Sequence, residues 1–138
     1  MKRIIAIDYG DARTGVAVSD LTGTLAGEAL TIQEWNAEKL AQRLAFFARE
    51  RDAEKFVLGL PKNMDSTEGP RAEKARQFKA LLEEASGLPV ILWDERRSTI
   101  EAHAILHAAG KKGKKHRANV DAVAATLLLE GYLASPNR

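Results

Sequence analysis

Apolar positions recur along this chain with two alternating periods, and the first to appear is the period of two. Residues 3–9, RIIAIDY, put Ile5 and Ile7 on one face of a strand and Ile4 and Ala6 on the other, so the strand is central and covered on both sides. GDARTG supplies a turn, TGVAVSD (14–20) a second strand, and residues 25–32 a third, after the turn signal Thr22-Gly23. Connections this short predict an antiparallel three-strand meander. The period then lengthens. Asn36 is placed to cap a helix reaching about residue 51, with Trp35 and Leu40 spaced as a hydrophobic staple. KFVLGLP (55–61) reads as a strand stopped by proline, and KNMDSTEG leads to Pro70, near the start of a helix that Gly87 closes. LPVILWDE (88–95) is a fifth strand. Ser98 and Glu101 have capping-box spacing and open a helix over about 99–109, and Asn119 starts a last helix ending near Leu133. The order β-β-β-α-β-α-β-α-α predicts one α/β domain over residues 1–138, a mixed five-stranded sheet flanked by helices.

Composition sharpens this picture in two ways. A length of 138 residues, with 45% apolar and 29% charged residues, suits one soluble domain with a real core. No apolar run approaches a membrane span, and MKRIIAIDYG lacks the apolar stretch of a signal peptide, so a cytoplasmic protein without a membrane partner is expected. Zero cysteines exclude a disulfide framework, a thiolate nucleophile and a cysteine-ligated metal. The net charge of +2 hides an asymmetry. Five cations, Lys111, Lys112, Lys114, Lys115 and Arg117, crowd the segment KKGKKHR; the rest of the chain carries 16 Lys and Arg against 19 Asp and Glu. The chain is thus mildly acidic with one cationic loop, which points to an anionic partner held locally.

Two carboxylates stand where packing does not want them. Asp8 shares a strand face with Ile4 and Ala6, where ionisation is costly unless the group is paired or binds a cation. Asp121 projects among Ala124, Ala125, Leu128 and Tyr132, in the middle of the face its helix should bury. The helix dipole accounts for an acid in a first turn but not for one on the apolar side. Asp94 and Glu95 end the fifth strand facing opposite ways, and one of them faces away from Val90 and Leu92. Brought together at one sheet edge, such acids repel, and a hard divalent cation bound through oxygen relieves the repulsion. Two such ions suit phosphodiester hydrolysis.

The blocks AIDYGDARTGVAVSD, GLPKNMDSTEGPRAEKARQF, WDERRST and NVDAVAATLLLEGYL, in that order, resemble the YqgF/RuvX family of Holliday-junction-resolvase-like nucleases, also described as pre-16S rRNA nucleases. The resemblance spans nearly the whole chain. It implies a ribonuclease-H-like fold with strand order 3-2-1-4-5, dependence on Mg²⁺ or Mn²⁺ and bacterial cytoplasmic residence. It also implies Asp8, Glu95 and Asp121 as the catalytic, metal-binding acids. Related resolvases place the second acid after the fourth strand, where Asp65 and Glu68 stand, and Asp94 is a further alternative. Arg97 stands where the family commonly has leucine. Gly10 and Gly15 suit a tight turn beside the site. Arg13 at the tip of that turn, Arg96 and Asn63 are expected to contact substrate, with Lys111, Lys112, Lys114, Lys115 and Arg117 on its phosphates.

Other chemistries find less support. His103 and His107 have i, i+4 spacing but neither an HExxH pattern nor a third ligand. GDARTGV lacks the Lys-Ser/Thr ending of a phosphate-binding P-loop, and there is no G-x-S-x-G elbow. Aromatics are 6% of the chain and are expected in the core, so no stacking platform accompanies the basic loop. The favoured expectation is a metal-dependent endonuclease of structured RNA, monomeric or homodimeric. The alternatives are a dimeric resolvase of branched four-way DNA, a nucleotide-binding module resembling the first phosphate loop of the actin/hexokinase/Hsp70 superfamily, and a non-catalytic binding factor.

Overall fold

The strand that is apolar on both faces lies at the centre, as such a strand must. In the computed structural model, which describes residues 2–61, 65, 67–94 and 113–135, the elements run β1 Arg3–Asp8, β2 Arg13–Ser19, β3 Ala26–Gln33, α1 Ala37–Glu50, β4 Ala53–Leu60, α2 Pro70–Ser86, β5 Val90–Asp94 and α3 Gly113–Ala134. The sheet order is β3-β2-β1-β4-β5. β1, β2 and β3 form the antiparallel meander, and β4 and β5 run parallel to β1. This is the 3-2-1-4-5 order that the resemblance implies.

Alternation along β1 divides the core. Ile5 and Ile7 belong to the larger cluster, under α1 and α2, with Leu40, Leu44, Phe56, Phe78 and Leu82. Ile4 and Ala6 belong to the smaller one, under α3, with Ala17, Val57, Ala125, Leu128 and Tyr132. The caps follow the sequence: the Asn36 side chain accepts from the Lys39 amide at 2.9 Å, Pro70 occupies the first turn of α2, and Gly87 closes that helix in the left-handed region at φ 72°.

Two expectations need correction. Trp35 is 74% exposed while Leu40 is buried, so the ring forms no staple and stands out from the start of α1. The last helix begins at Gly113 rather than Asn119. Lys, His, Arg and Ala between them include no helix breaker, and propagation outweighs the capping preference of Asn119. Lys114, Lys115 and Arg117 therefore lie on a helix, not in a loop, with Arg117 one turn before Asp121. The helix expected over 99–109, with His103 and His107, lies outside the described residues.

Candidate active site

Asp8 is the last residue of β1 and, by alternation, shares the α3 face with Ile4 and Ala6. Its antiparallel partner in register is Gly15 on β2. A Cβ on Gly15 would collide with the backbone carbonyl of Asp121. The missing side chain thus lets α3 settle on the sheet beside Asp8. Gly15 is there for close approach, not for the turn that its sequence context suggests. Gly10 does serve the turn, since a Cβ there would strike the Arg13 carbonyl.

The Asp121 side chain is 25% exposed and sits just ahead of Ala124, Ala125 and Leu128, all buried. Burial pushes its carboxyl above the ordinary aspartate range, and the Arg13 guanidinium, with Nε 3.1 Å from Oδ2, pulls it only part of the way back. Arg13 is the first residue of β2 rather than the tip of the turn, and its guanidinium pairs with Asp121. The signal for this pairing was the shared parity of Arg13, Gly15 and Ala17, which puts all three on the α3 face.

The second acid is constrained by the alternatives. Ile91 and Trp93 pack on the α3 side, while Val90 and Leu92 pack on the α1–α2 side, so alternation sends Asp94 to the face away from Asp8 and Asp121. The Asp65 carboxylate accepts from the Thr67 hydroxyl at 2.6 Å and amide at 3.1 Å, which holds its pKa below the usual value. Glu68 takes both nitrogens of the Arg76 fork at 2.7 Å. Glu95, Arg96, Arg97, Asn63, Lys111 and Lys112 lie outside the described residues, as do the side chains of Lys114, Lys115 and Arg117. Among the described residues no group of three acids or histidines comes together. The two acids that share the α3 face offer oxygen donors alone, the set that hard divalent cations prefer. Asp121 remains under-compensated even with Arg13 beside it, so the pair fits such an ion. A polar cleft of about 560 Å³ lined by Arg3, Glu28 and Arg51 lies at the opposite end of β1, with its walls already joined by the Arg51–Glu28 pair at 2.9 and 3.0 Å.

The model of a family described as "RuvX: Holliday junction resolvase" matches residues 2–135. A protein of Halothermothrix orenii is 42% identical over 137 residues, covering 99% of this chain and 97% of its own, and one of Bacillus subtilis is 39% identical, covering 98% and 99%. Both carry the name "Putative pre-16S rRNA nuclease". Among solved structures, Thermus thermophilus RuvC in complex with a Holliday junction substrate superposes with TM-score 0.56 at 13% identity, covering 97% of both chains. A Fowlpox virus resolvase in complex with Holliday junction DNA gives 0.58 at 11%, covering 95% of this chain and 96% of that one. At such identities the likeness speaks for the fold, which is ribonuclease-H-like.

Proposed function

The chain belongs to the RuvX family, and on that footing we propose that it is a metal-dependent endonuclease that hydrolyses phosphodiester bonds in structured nucleic acid, with precursor 16S ribosomal RNA as its substrate. The observation that carries this reading is the seating of Asp121. An acid on the packing face of α3 is brought against Gly15, the register partner of Asp8, and keeps a raised pKa despite its ion pair. An acid seated on a packing face beside the register partner of Asp8 supports a site that receives further positive charge.

In this reading Asp8 and Asp121 hold Mg²⁺ or Mn²⁺ together with Glu95, the acid to which the family motif points and which the opposite facing of Asp94 favours. When bound, such a cation supplies Lewis acidity, acidifying water and offsetting charge that develops on the phosphate oxygens. Arg13 orients the Asp121 carboxylate and partly balances it, and its guanidinium can also meet an incoming phosphate at this edge. Arg117 lies one turn and Lys114 two turns ahead of Asp121 on the same helix, about 6 and 10 Å along its axis. With Lys111, Lys112 and Lys115, all within ten residues of Asp121 in sequence, they supply the positive charge that this reading assigns to the phosphate backbone. Arg96 and Asn63 complete the substrate contacts. Hydrolysis adds water across the P–O bond, and one product keeps the phosphate while the other leaves with a hydroxyl.

The relatives' name favours RNA and the family's description favours branched DNA, so a direct comparison separates them. Purified protein with Mg²⁺ or Mn²⁺ should cut a precursor 16S fragment and leave a four-way DNA junction whole. Paired symmetric nicks in the junction, with the RNA untouched, would assign the resolvase reaction and a dimer instead.

A further inference from the structure

Trp35 is the most exposed of the large apolar side chains described, at 74%, ahead of Leu25 at 67% and Phe46 at 58%. It stands at the rim of a groove of about 430 Å³ whose other walls include Tyr9, Phe78, Gln77 and Lys74. Tyr9 and Phe78 line it as a stacked pair, with ring centroids 4.3 Å apart and planes 5° from parallel. Lys74 and Asp11 line it, and Arg71 stands behind Asp11: Arg71 Nη1 and Lys74 Nζ meet that carboxylate at 3.4 and 3.2 Å, two positive charges on one negative. Arg71 also donates to the Tyr9 carbonyl at 3.4 Å, which brings the start of α2 against the end of β1. Tyr9 directly follows Asp8, so the groove begins one residue from the acid, on the other face of the same sheet edge.

An exposed indole, a stacked aromatic pair, the Lys74 and Arg71 cations about Asp11 and an amide at Gln77 match the chemistry of one nucleotide whose base is unpaired. The π-face of the base lies on an aromatic ring and its phosphate meets the cations. A base-paired duplex cannot use such a groove, because its bases are already stacked on each other. The surroundings of Trp35 offer less to a second copy of this chain, which would have to bury Arg71, Lys74 and Asp11, all more than half exposed. We propose that this groove is a subsite for an unpaired nucleotide next to the cleaved bond, with its base on Trp35 and its phosphate at Lys74 and Arg71. The placement relative to the cut rests on the nuclease reading; the binding itself does not.

The test is made in chelator, so that nothing is cut, with labelled single-stranded oligoadenylate in ribo and deoxy forms and a blunt duplex of matched length. Fluorescence anisotropy gives affinity, and unlabelled strands are used to read tryptophan emission. Single strands should quench the emission, and Trp35→Ala should weaken their binding about five- to 150-fold, the cost of one lost base stack. Trp35→Phe should recover most of that loss, and Asp11→Asn should tighten binding severalfold by releasing the two cations. Duplex affinity should stay level in the Trp35 variants. An equal loss for ribo and deoxy strands assigns the subsite to the base alone, and a loss confined to ribo strands assigns it to RNA. Trp35→Ala protein that binds single strands as tightly as wild type overturns the proposal, as does a wild-type dimer that this substitution merely dissociates. Cleavage assayed in parallel keeps the two readings apart. An active nuclease indifferent to Trp35→Ala defeats the subsite only, and Trp35-dependent binding by a protein that cuts nothing defeats the nuclease reading only.

Discussion

Asp121 keeps a quarter of its side chain exposed and meets Arg13 at 3.1 Å, yet burial still leaves its carboxyl harder to ionise than in the unfolded chain. The sign of the consequence follows. Below the unfolded aspartate pKa the group is protonated in both states, and its contribution to stability is fully present. As pH rises through the higher folded-state value that contribution is lost, because the native state must ionise a desolvated group. In metal-free protein Asp121→Asn should therefore raise Tm near neutral pH. The advantage should fade toward about pH 3, where wild-type Asp121 is protonated in both states. Thermal melts across that range in chelator check it, and a variant less stable than wild type at neutral pH would contradict it. This residue is legible in sequence because a carboxylate at the spacing of Ala124, Ala125 and Leu128 stands out from its face. Trp35 is not legible in the same way. A tryptophan before a helix cap reads as a staple, and only the path of the neighbouring elements leaves this ring free.

At the scale of elements, the site depends on how closely α3 lies against β2. Gly15→Ala would set a methyl against the Asp121 carbonyl, and helix and strand are both too well packed to yield without cost. The variant should lose about 1–3 kcal/mol of stability. It should also lose nuclease activity beyond what that loss accounts for, since α3 carries Asp121. Denaturant titration together with cleavage at a temperature where the variant is folded checks this; full activity would show that α3 need not seat on Gly15. The strands β1 to β5 follow from alternation and turn residues to within about two residues, because both faces of β1 and the caps Asn36, Pro70 and Gly87 are local signals. The start of α3 is not a local matter. Lys and Arg are good helix formers, so the stretch from Gly113 to Ala118 reads as a loop only if Asn119 is taken as the helix start. The function of Gly15 likewise requires a contact across more than a hundred residues.

Over the whole molecule, charge and topology coincide. The carboxyl ends of β1 and β4 and the cation-bearing start of α3 belong to one chain that corresponds to its relatives over nearly their full length. No described helix is long and apolar enough to cross a membrane. The net charge of +2 describes the sum and not the arrangement, since five cations lie within ten residues of Asp121 and the remainder is acidic. If the acids at the end of β1 and on α3 cut nucleic acid through a divalent cation, Asp8→Asn should abolish the reaction without unfolding the chain. The measurement is single-turnover cleavage of a precursor 16S fragment in Mg²⁺ or Mn²⁺ by wild type and Asp8→Asn protein, with melting and binding recorded for both. Cleavage should fall on the order of 10³-fold or more in Asp8→Asn, with folding and substrate affinity largely kept. Undiminished metal-dependent cleavage by purified Asp8→Asn protein would contradict it.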